Sequence, residues 1–287
     1  MKNTPRTHSA RRRAGSVLKT AALYFFFVLY MVPFLMVLIN SFKRKASIIK
    51  YPLGLVDSEG MQFENYVTAV EKMDFLKAFG NSLIVTACSI VFLVLLSSMM
   101  AYLFARKNWR ACRISFSLLL ASMILPFQVV MIPLVSIYGA QLQMLNSLPT
   151  LIFMNIGFGV SLCTFMCHGF IKSNIPVALE EAATIDGCSQ FKCYFRIVLP
   201  LLKPILATIS ILETLSIWND YLLPSLVLRR KELYTLPIAI RTFYGTFSND
   251  YGYIMAGLVL SIVPVIIVYL CLQKHIIGGV VAGAVKA

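Results

Sequence analysis

Four tracts of this chain, 20–42, 78–105, 114–171 and 251–273, contain no Asp, Glu, Lys or Arg. Only 13% of the 287 residues are charged and 59% are hydrophobic, whereas a soluble domain carries about 25% charge. These shortages exclude an ordinary water-soluble fold. Each uncharged tract reaches the roughly 20 residues that a membrane-spanning helix needs. The tract 114–171 would run about 87 Å as one helix at 1.5 Å per residue, far more than a bilayer. It must therefore fold into two spans, with Asn146-Ser147-Leu148-Pro149 as the natural turn. A fifth apolar stretch, 204–228, is broken only by Glu213 and Asp220. The expected class is an all-α polytopic membrane protein with six spans, 20–42, 78–105, 114–138, 149–171, 204–228 and 251–273.

Clusters that could carry chemistry are also missing. Cys163, Cys167 and His168 have the spacing of a ligand set on one helix face, but they lie in an apolar span with no further Cys, His or acid nearby. They read as small residues packed between helices. No Ser/His/Asp grouping suggests a hydrolase. Gly278 to Gly283 has the glycine spacing of a phosphate loop, but Ala284-Val285 replace Lys-Ser/Thr and no strand precedes it. The chain is expected to be no enzyme by itself and to hold no metal or cofactor. Any nucleotide chemistry would come from a partner.

Acidic residues are scarce, 12 against 26 Lys and Arg, for a net charge of +14. With the N-terminus inside, the inner segments 1–19, 106–113, 172–203 and 274–287 hold 16 basic residues and the outer ones 10. Net charge is then +13 inside against +3 outside. The positive-inside rule places both termini in the cytoplasm, although Lys43-Arg44-Lys45 just beyond the first span opposes this. Attraction to anionic lipid accounts for the basic balance, and no nucleic-acid partner is implied. Cys112, Cys188 and Cys193 then face a reducing compartment, which disfavours disulfides. The first tract exceeds the 7–15 apolar residues of a signal peptide and reads as an uncleaved span, preceded by a basic, disordered segment 1–19.

Local signals refine this outline. The outer segment 43–77 ends in a short amphipathic stretch from Val67 to Phe79, and Asn81-Ser82 supplies a cap-type start for the second span. Pro126 and Pro133 imply kinks in the third, either lining a path or serving packing. Gly157, Gly159, Ser161, Gly252, Gly257 and Ser261 allow close helix approach.

A polar, amphipathic island, Glu180 to Pro200, interrupts the apolar spans. Asn174-Ile175-Pro176 reads as a helix start, Glu180 and Glu181 suit the positive helix end, and Gly187 suits a left-handed stop. Leu179, Ala182, Ala183 and Asp186 share one side of this helix, and a second stretch runs from Gln190 to Val198. The hairpin either lies on its own bundle or is offered to a partner's groove.

Glu181-Ala182-Ala183, three residues, Gly187, nine residues, Ile197, one residue and Leu199-Pro200 reads EAA-x3-G-x9-I-x-LP. This resembles the cytoplasmic signature of the membrane subunits of bacterial ABC importers. Phe79-Gly80-Asn81-Ser82-Leu83, Trp218-Asn219-Asp220-Tyr221 and Thr235-Leu236-Pro237 are similar to the carbohydrate-uptake branch. So is the tail, Gln273-Lys274-His275 to Gly278 and Gly283-Ala284-Val285-Lys286, which resembles the maltose-permease G-type family. Ala287 for a final glycine and Val280-Val281 for Leu-Thr are departures that bear on tail contacts with the ATPase. The resemblance implies a type I ABC importer permease fold in a bacterial cytoplasmic membrane. It implies a coupling loop over 172–203, in which Glu181, Ala182, Ala183, Asp186, Gly187, Ile197, Leu199 and Pro200 meet the ATPase. Glu181 would pair with a basic residue there. The implied partners are a second permease subunit, two ATPase subunits that bind ATP and Mg, an extracytoplasmic solute-binding protein, and a sugar.

Charges within a span are candidates for function because they are costly in hydrocarbon. Glu213 and Asp220 fall on one face with Ser216 between them, and Trp218 and Asn219 lie nearby. This stripe lines a translocation path, or it forms a buried pair against the other permease subunit or an interface-level cluster. Two rival classes stay open: a permease for a non-sugar solute, and an ion-coupled secondary transporter in which these acids bind the ion.

Overall fold

The computed structural model describes residues 6–55, 57, 60–245 and 249–284, with side chains within 16–267 and at 270. The helices are α1 (Arg6–Asn40), α2 (Lys45–Lys50), α3 (Glu64–Lys72), α4 (Phe75–Arg106), α5 (Arg110–Ser122), α6 (Phe127–Leu134), α7 (Leu148–Asn174) and α8 (Val177–Ile185). They continue as α9 (Gln190–Cys193), α10 (Leu199–Leu201), α11 (Lys203–Asn219), α12 (Leu222–Val227), α13 (Leu236–Arg241) and α14 (Tyr251–Ala284). Two π-helical stretches, Val135–Gln141 and Tyr194–Val198, continue α6 and α9. Among the described residues the only extended pairing is a single bridge between Tyr244 and Asn249.

Three described helical segments, Ser16–Asn40, Phe75–Arg106 and Leu148–Asn174, are long and apolar enough to cross a membrane. Two bent pairs pass the same test together, and Tyr251–Ile267 is a shorter apolar helix. The expected third span is not one kinked helix: its halves, Arg110–Ser122 and Phe127–Gln141, meet at 98°. Pro126 is the cause, since it has no N–H to bond the Ser122 carbonyl and it disfavours helical geometry at Leu125. The helix leading into the fifth apolar stretch bends by 72° after Leu201, where Pro204 cannot bond back to Pro200. Both ends of the chain differ from expectation as well. The basic N-terminal segment is helical from Arg6, because its Ala, Arg and Lys residues extend a nucleus that the apolar run supplies. At the other end α14 continues past residue 273 to Ala284. The tail positions Val285, Lys286 and Ala287 lie outside the described residues.

The chain divides into two compact units, residues 1–71 with 243–260 and residues 72–242 with 261–287. In the first, Lys43 is buried and its Nζ donates to Asn40 Oδ1 at 2.9 Å and to the Tyr51 carbonyl at 3.2 Å. Asn65 Nδ2 donates to the carbonyls of Ser41 and Lys43, and Asp57 accepts from the Arg44 N–H and the Ser47 hydroxyl. These bonds fold the segment after α1 into a fixed cap.

The second unit is built on α4 and α7. Ala78, Ser82, Val85, Ser89, Leu93, Ser97 and Ala101 form a buried stripe on α4, small enough for close helix packing. At Gly159 of α7 a side chain would meet Leu93 at 3.0 Å and the Glu213 Oε2 at 3.3 Å. The expected turn before α7 is present: Asn146 is left-handed at φ 63° and Ser147 caps the helix by accepting the Thr150 N–H. Asn146 Oδ1 also accepts the N–H groups of Arg229 and Arg230. Asn81 and Ser82 do not start the second span, which begins at Phe75. They lie inside α4 and tie it to a distant segment: Asn81 Nδ2 donates to the carbonyls of Glu232 and Tyr234, and Ser82 Oγ accepts the Leu236 N–H.

Candidate functional site

The island forms a helical hairpin beside the C-terminal end of α4. Asn174 is the last residue of α7 rather than a cap, and Pro176 stands immediately before α8. At its far end α8 closes in a Schellman turn: the Gly187 N–H bonds the Thr184 carbonyl and the Cys188 N–H bonds that of Ala183. Gly187 has φ +77°, where a residue with a Cβ loses about 1–2 kcal/mol. Gly187→Val is therefore expected to fray the end of α8. Hydrogen exchange at residues 184–190 should accelerate, and unchanged protection would show that the turn does not depend on glycine.

Adjacent glutamates are engaged differently. Glu180 turns inward, where its Oε1 accepts from Arg106 Nε at 2.7 Å and its Oε2 from the Tyr102 hydroxyl at 2.9 Å. The Arg106 and Glu180 side chains are each only 12% exposed. Arg106 Nη2 also donates to the Ile175 carbonyl at 2.8 Å, so one guanidinium grips α8 and the link that leads into it. Below them Tyr194 is buried and its hydroxyl meets Ser98 Oγ at 2.7 Å. Nothing in the sequence paired Arg106 with Glu180; an acid beside the motif and an arginine ending an apolar span were the available signal.

Glu181 is exposed, as are Ala182, Asp186 and Gly187, while Ala183 is buried. Glu181, Thr184 and Ile185 flank a groove of about 550 Å³ between α8 and the end of α4, which Lys107 also lines. Ile185 is 86% exposed and Phe191 67%, so an apolar patch adjoins the outward acids. Ile197 and Leu199 are half-buried and Pro200 is exposed at the bend into α11.

The candidate path residues divide. Glu213, Ser216 and Asp220 line one cavity of about 390 Å³, together with Gln128 and Asn155 from the charge-free tract 114–171. Glu213 Oε1 accepts from the Cys163 thiol at 3.4 Å. Trp218 points elsewhere: it is buried, donates from Nε1 to the Ser261 carbonyl, and packs edge-on against Phe79. Asn219 folds back onto the Leu215 carbonyl. The helix ends at Asn219, and Asp220 follows in extended geometry. His168 packs against Phe116, with ring centroids 4.3 Å apart.

Helices of membrane-crossing length, a cavity lined by Glu213, Ser216 and Asp220, and a hairpin bonded to α4 define a polytopic membrane transport component. The chain belongs to the family described as "Binding-protein-dependent transport system inner membrane component", whose sequence model matches residues 93–281. It is 41% identical over 259 residues to the "Probable starch degradation products transport system permease protein AmyC" of Thermoanaerobacterium thermosulfurigenes, covering 90% of this chain and 93% of that protein. It is 35% identical over 257 residues to the "Melibiose/raffinose/stachyose import permease protein MelC" of Bacillus subtilis, covering 90% and 92%. Its fold is similar to a crystal structure of a bacterial ABC transporter involved in the import of the acidic polysaccharide alginate. The TM-score is 0.72 at 21% identity, over 96% of this chain and 99% of that one. The chain is thus an ABC importer permease, a translocation component and not a catalyst.

Proposed function

We propose that the chain is the permease subunit of an ATP-driven importer of sugars or oligosaccharides in a bacterial cytoplasmic membrane. It works with a second permease subunit, two ATPase subunits that bind ATP and Mg, and an extracytoplasmic solute-binding protein. The sugar reading draws on relatives whose names refer to starch degradation products and to melibiose, raffinose and stachyose. The observation that carries the coupling role is the division of labour in the hairpin: Glu180 is bonded inward to α4, while Glu181, Asp186, Ile185 and Gly187 are left outward.

Six spans fit this role: α1, α4, the bent pair α5 and α6, α7, α11 with α12, and α14. They make up a transmembrane region 20–273 between the basic segment 1–19 and the tail 274–287, with both termini cytoplasmic. The charge bias supports that orientation. The opposing Lys43 has a structural reason for its place, since its ammonium is buried on Asn40 and Tyr51. The coupling loop, 172–203, then lies inside. ATP closes the ATPase pair, whose cleft holds Glu181, Ala182, Ala183, Asp186, Gly187, Ile197, Leu199 and Pro200. Closure pushes the hairpin, which drags α4 through Arg106 and α11 through the bend at Leu201. The cavity holding Glu213, Ser216 and Asp220 is the stretch of translocation path that this movement opens, with Trp218 and Asn219 bracing its outer end.

In vesicles depleted of ATP but keeping their ion gradient, uptake is expected to fall to background. Uptake that persisted on the gradient alone would identify an ion-coupled carrier and overturn this reading.

A further inference from the structure

The cavity between α6, α7, α11 and α12 carries a specific chemistry. Asn155 is 8% exposed, it lines the cavity, and its Nδ2 has no hydrogen-bond partner among the described residues. A buried amide N–H left unmade is unfavourable, so a donor here asks for a ligand oxygen. Gln128 supplies a second amide from α6, and Glu213 and Asp220 supply carboxyl oxygens from across the cavity. Two rings complete the wall: Phe127 and Phe158 stand edge to face with centroids 5.2 Å apart. At about 390 Å³ the space falls in the roughly 300–1,000 Å³ range of small-molecule pockets.

The lining contains no lysine or arginine. Amides that donate, carboxyl oxygens that accept and flat apolar rings match the alternating hydroxyls and C–H faces of a pyranose. A ligand carboxylate would find no cation there, and a charge held in such a site without a counter-charge is costly.

We propose that this cavity is a saccharide subsite within the permease that accepts uncharged sugar rings and rejects uronates. Asn155 is its principal donor and Glu213 its principal acceptor. The proposal rests on the reading of the chain as a sugar importer. It adds that selection between neutral and acidic sugars is exercised inside the membrane as well as by the binding protein. The choice is a real one for this fold, since a transporter of similar structure is involved in importing an acidic polysaccharide.

Saturation-transfer NMR on the assembled transporter, without its binding protein, tests this with raffinose and maltotriose as neutral probes and trigalacturonate as the acidic one. At least one neutral probe is expected to give signal on the wild type, and trigalacturonate none. Asn155→Ala and Glu213→Gln should each reduce the neutral signal about fivefold or more. Glu213→Gln preserves side-chain shape, so it decides the matter if Asn155→Ala does not assemble. An undiminished neutral signal in Glu213→Gln, or equal signals from neutral and acidic probes, overturns the subsite. ATP-driven uptake of a neutral sugar without any wild-type signal would remove the subsite and leave the importer reading intact. Absence of ATP-driven sugar uptake would remove the importer reading, and the subsite with it.

Discussion

Glu180→Ala is expected to abolish coupled uptake and to loosen the hairpin from α4. The substitution leaves the Arg106 guanidinium, 12% exposed, without its carboxylate, and removing one partner of a buried ion pair costs about 3–5 kcal/mol. It also strands the Tyr102 hydroxyl, which donates to the same carboxylate. Arg106→Ala should be at least as damaging, because it releases the Ile175 carbonyl too. Arg106→Lys should rescue little, since one ammonium cannot reproduce two bonds set by a planar fork. The measurement is maleimide labelling or limited proteolysis of the hairpin in the assembled transporter, alongside uptake. An Ile175–Gln190 segment as protected as in the wild type, with normal uptake, would show that the ion pair does not hold the hairpin.

Glu181→Lys should behave differently although the residue is next door. Glu181 is exposed and no ion pair or hydrogen bond among the described residues uses its side chain, so substitution is expected to leave the fold and the membrane level unchanged. In the proposed complex its carboxylate meets a basic group of the ATPase, and a lysine there turns attraction into like-charge repulsion, which costs several kcal/mol at an interface. Uptake is expected to fall by about two orders of magnitude, with ATP hydrolysis no longer responding to the loaded binding protein. Wild-type uptake in this variant would remove Glu181 from the docking surface. The two substitutions together form a diagnostic: loss of hairpin protection marks the inner glutamate, and loss of coupling alone marks the outer one.

The features legible in the sequence were those set by local chemistry. Charge-free runs marked the apolar helices, Asn146-Ser147 marked the turn and cap before α7, and Gly187 marked the left-handed end of α8. Features set by distant partners were not legible. Asn81 and Ser82 look like caps in isolation, yet their partners lie 151 to 154 residues away. Hydropathy could not distinguish a kinked span from two helices at 98°, because proline permits both and the packing decides. Within the candidate path, helical spacing placed Glu213, Ser216 and Asp220 together but missed that the helix ends at Asn219. Trp218 is turned from the cavity by the helix itself, since two residues past Ser216 is about 200° around the axis. Asn155 and Gln128 were hidden because uncharged amides do not interrupt an apolar run.

The Arg106–Glu180 bond also has a temporal side. Its partners are 74 residues apart, so during synthesis the arginine emerges long before the acid that neutralises it. Until α7 has been made and inserted, the end of α4 must keep its cation in contact with water or lipid headgroups. Docking of α8 is therefore a late step that closes the unit. A chain truncated anywhere between residues 106 and 180 would present an uncompensated charge at the membrane surface, a mark by which quality-control proteases could tell unfinished copies from finished ones.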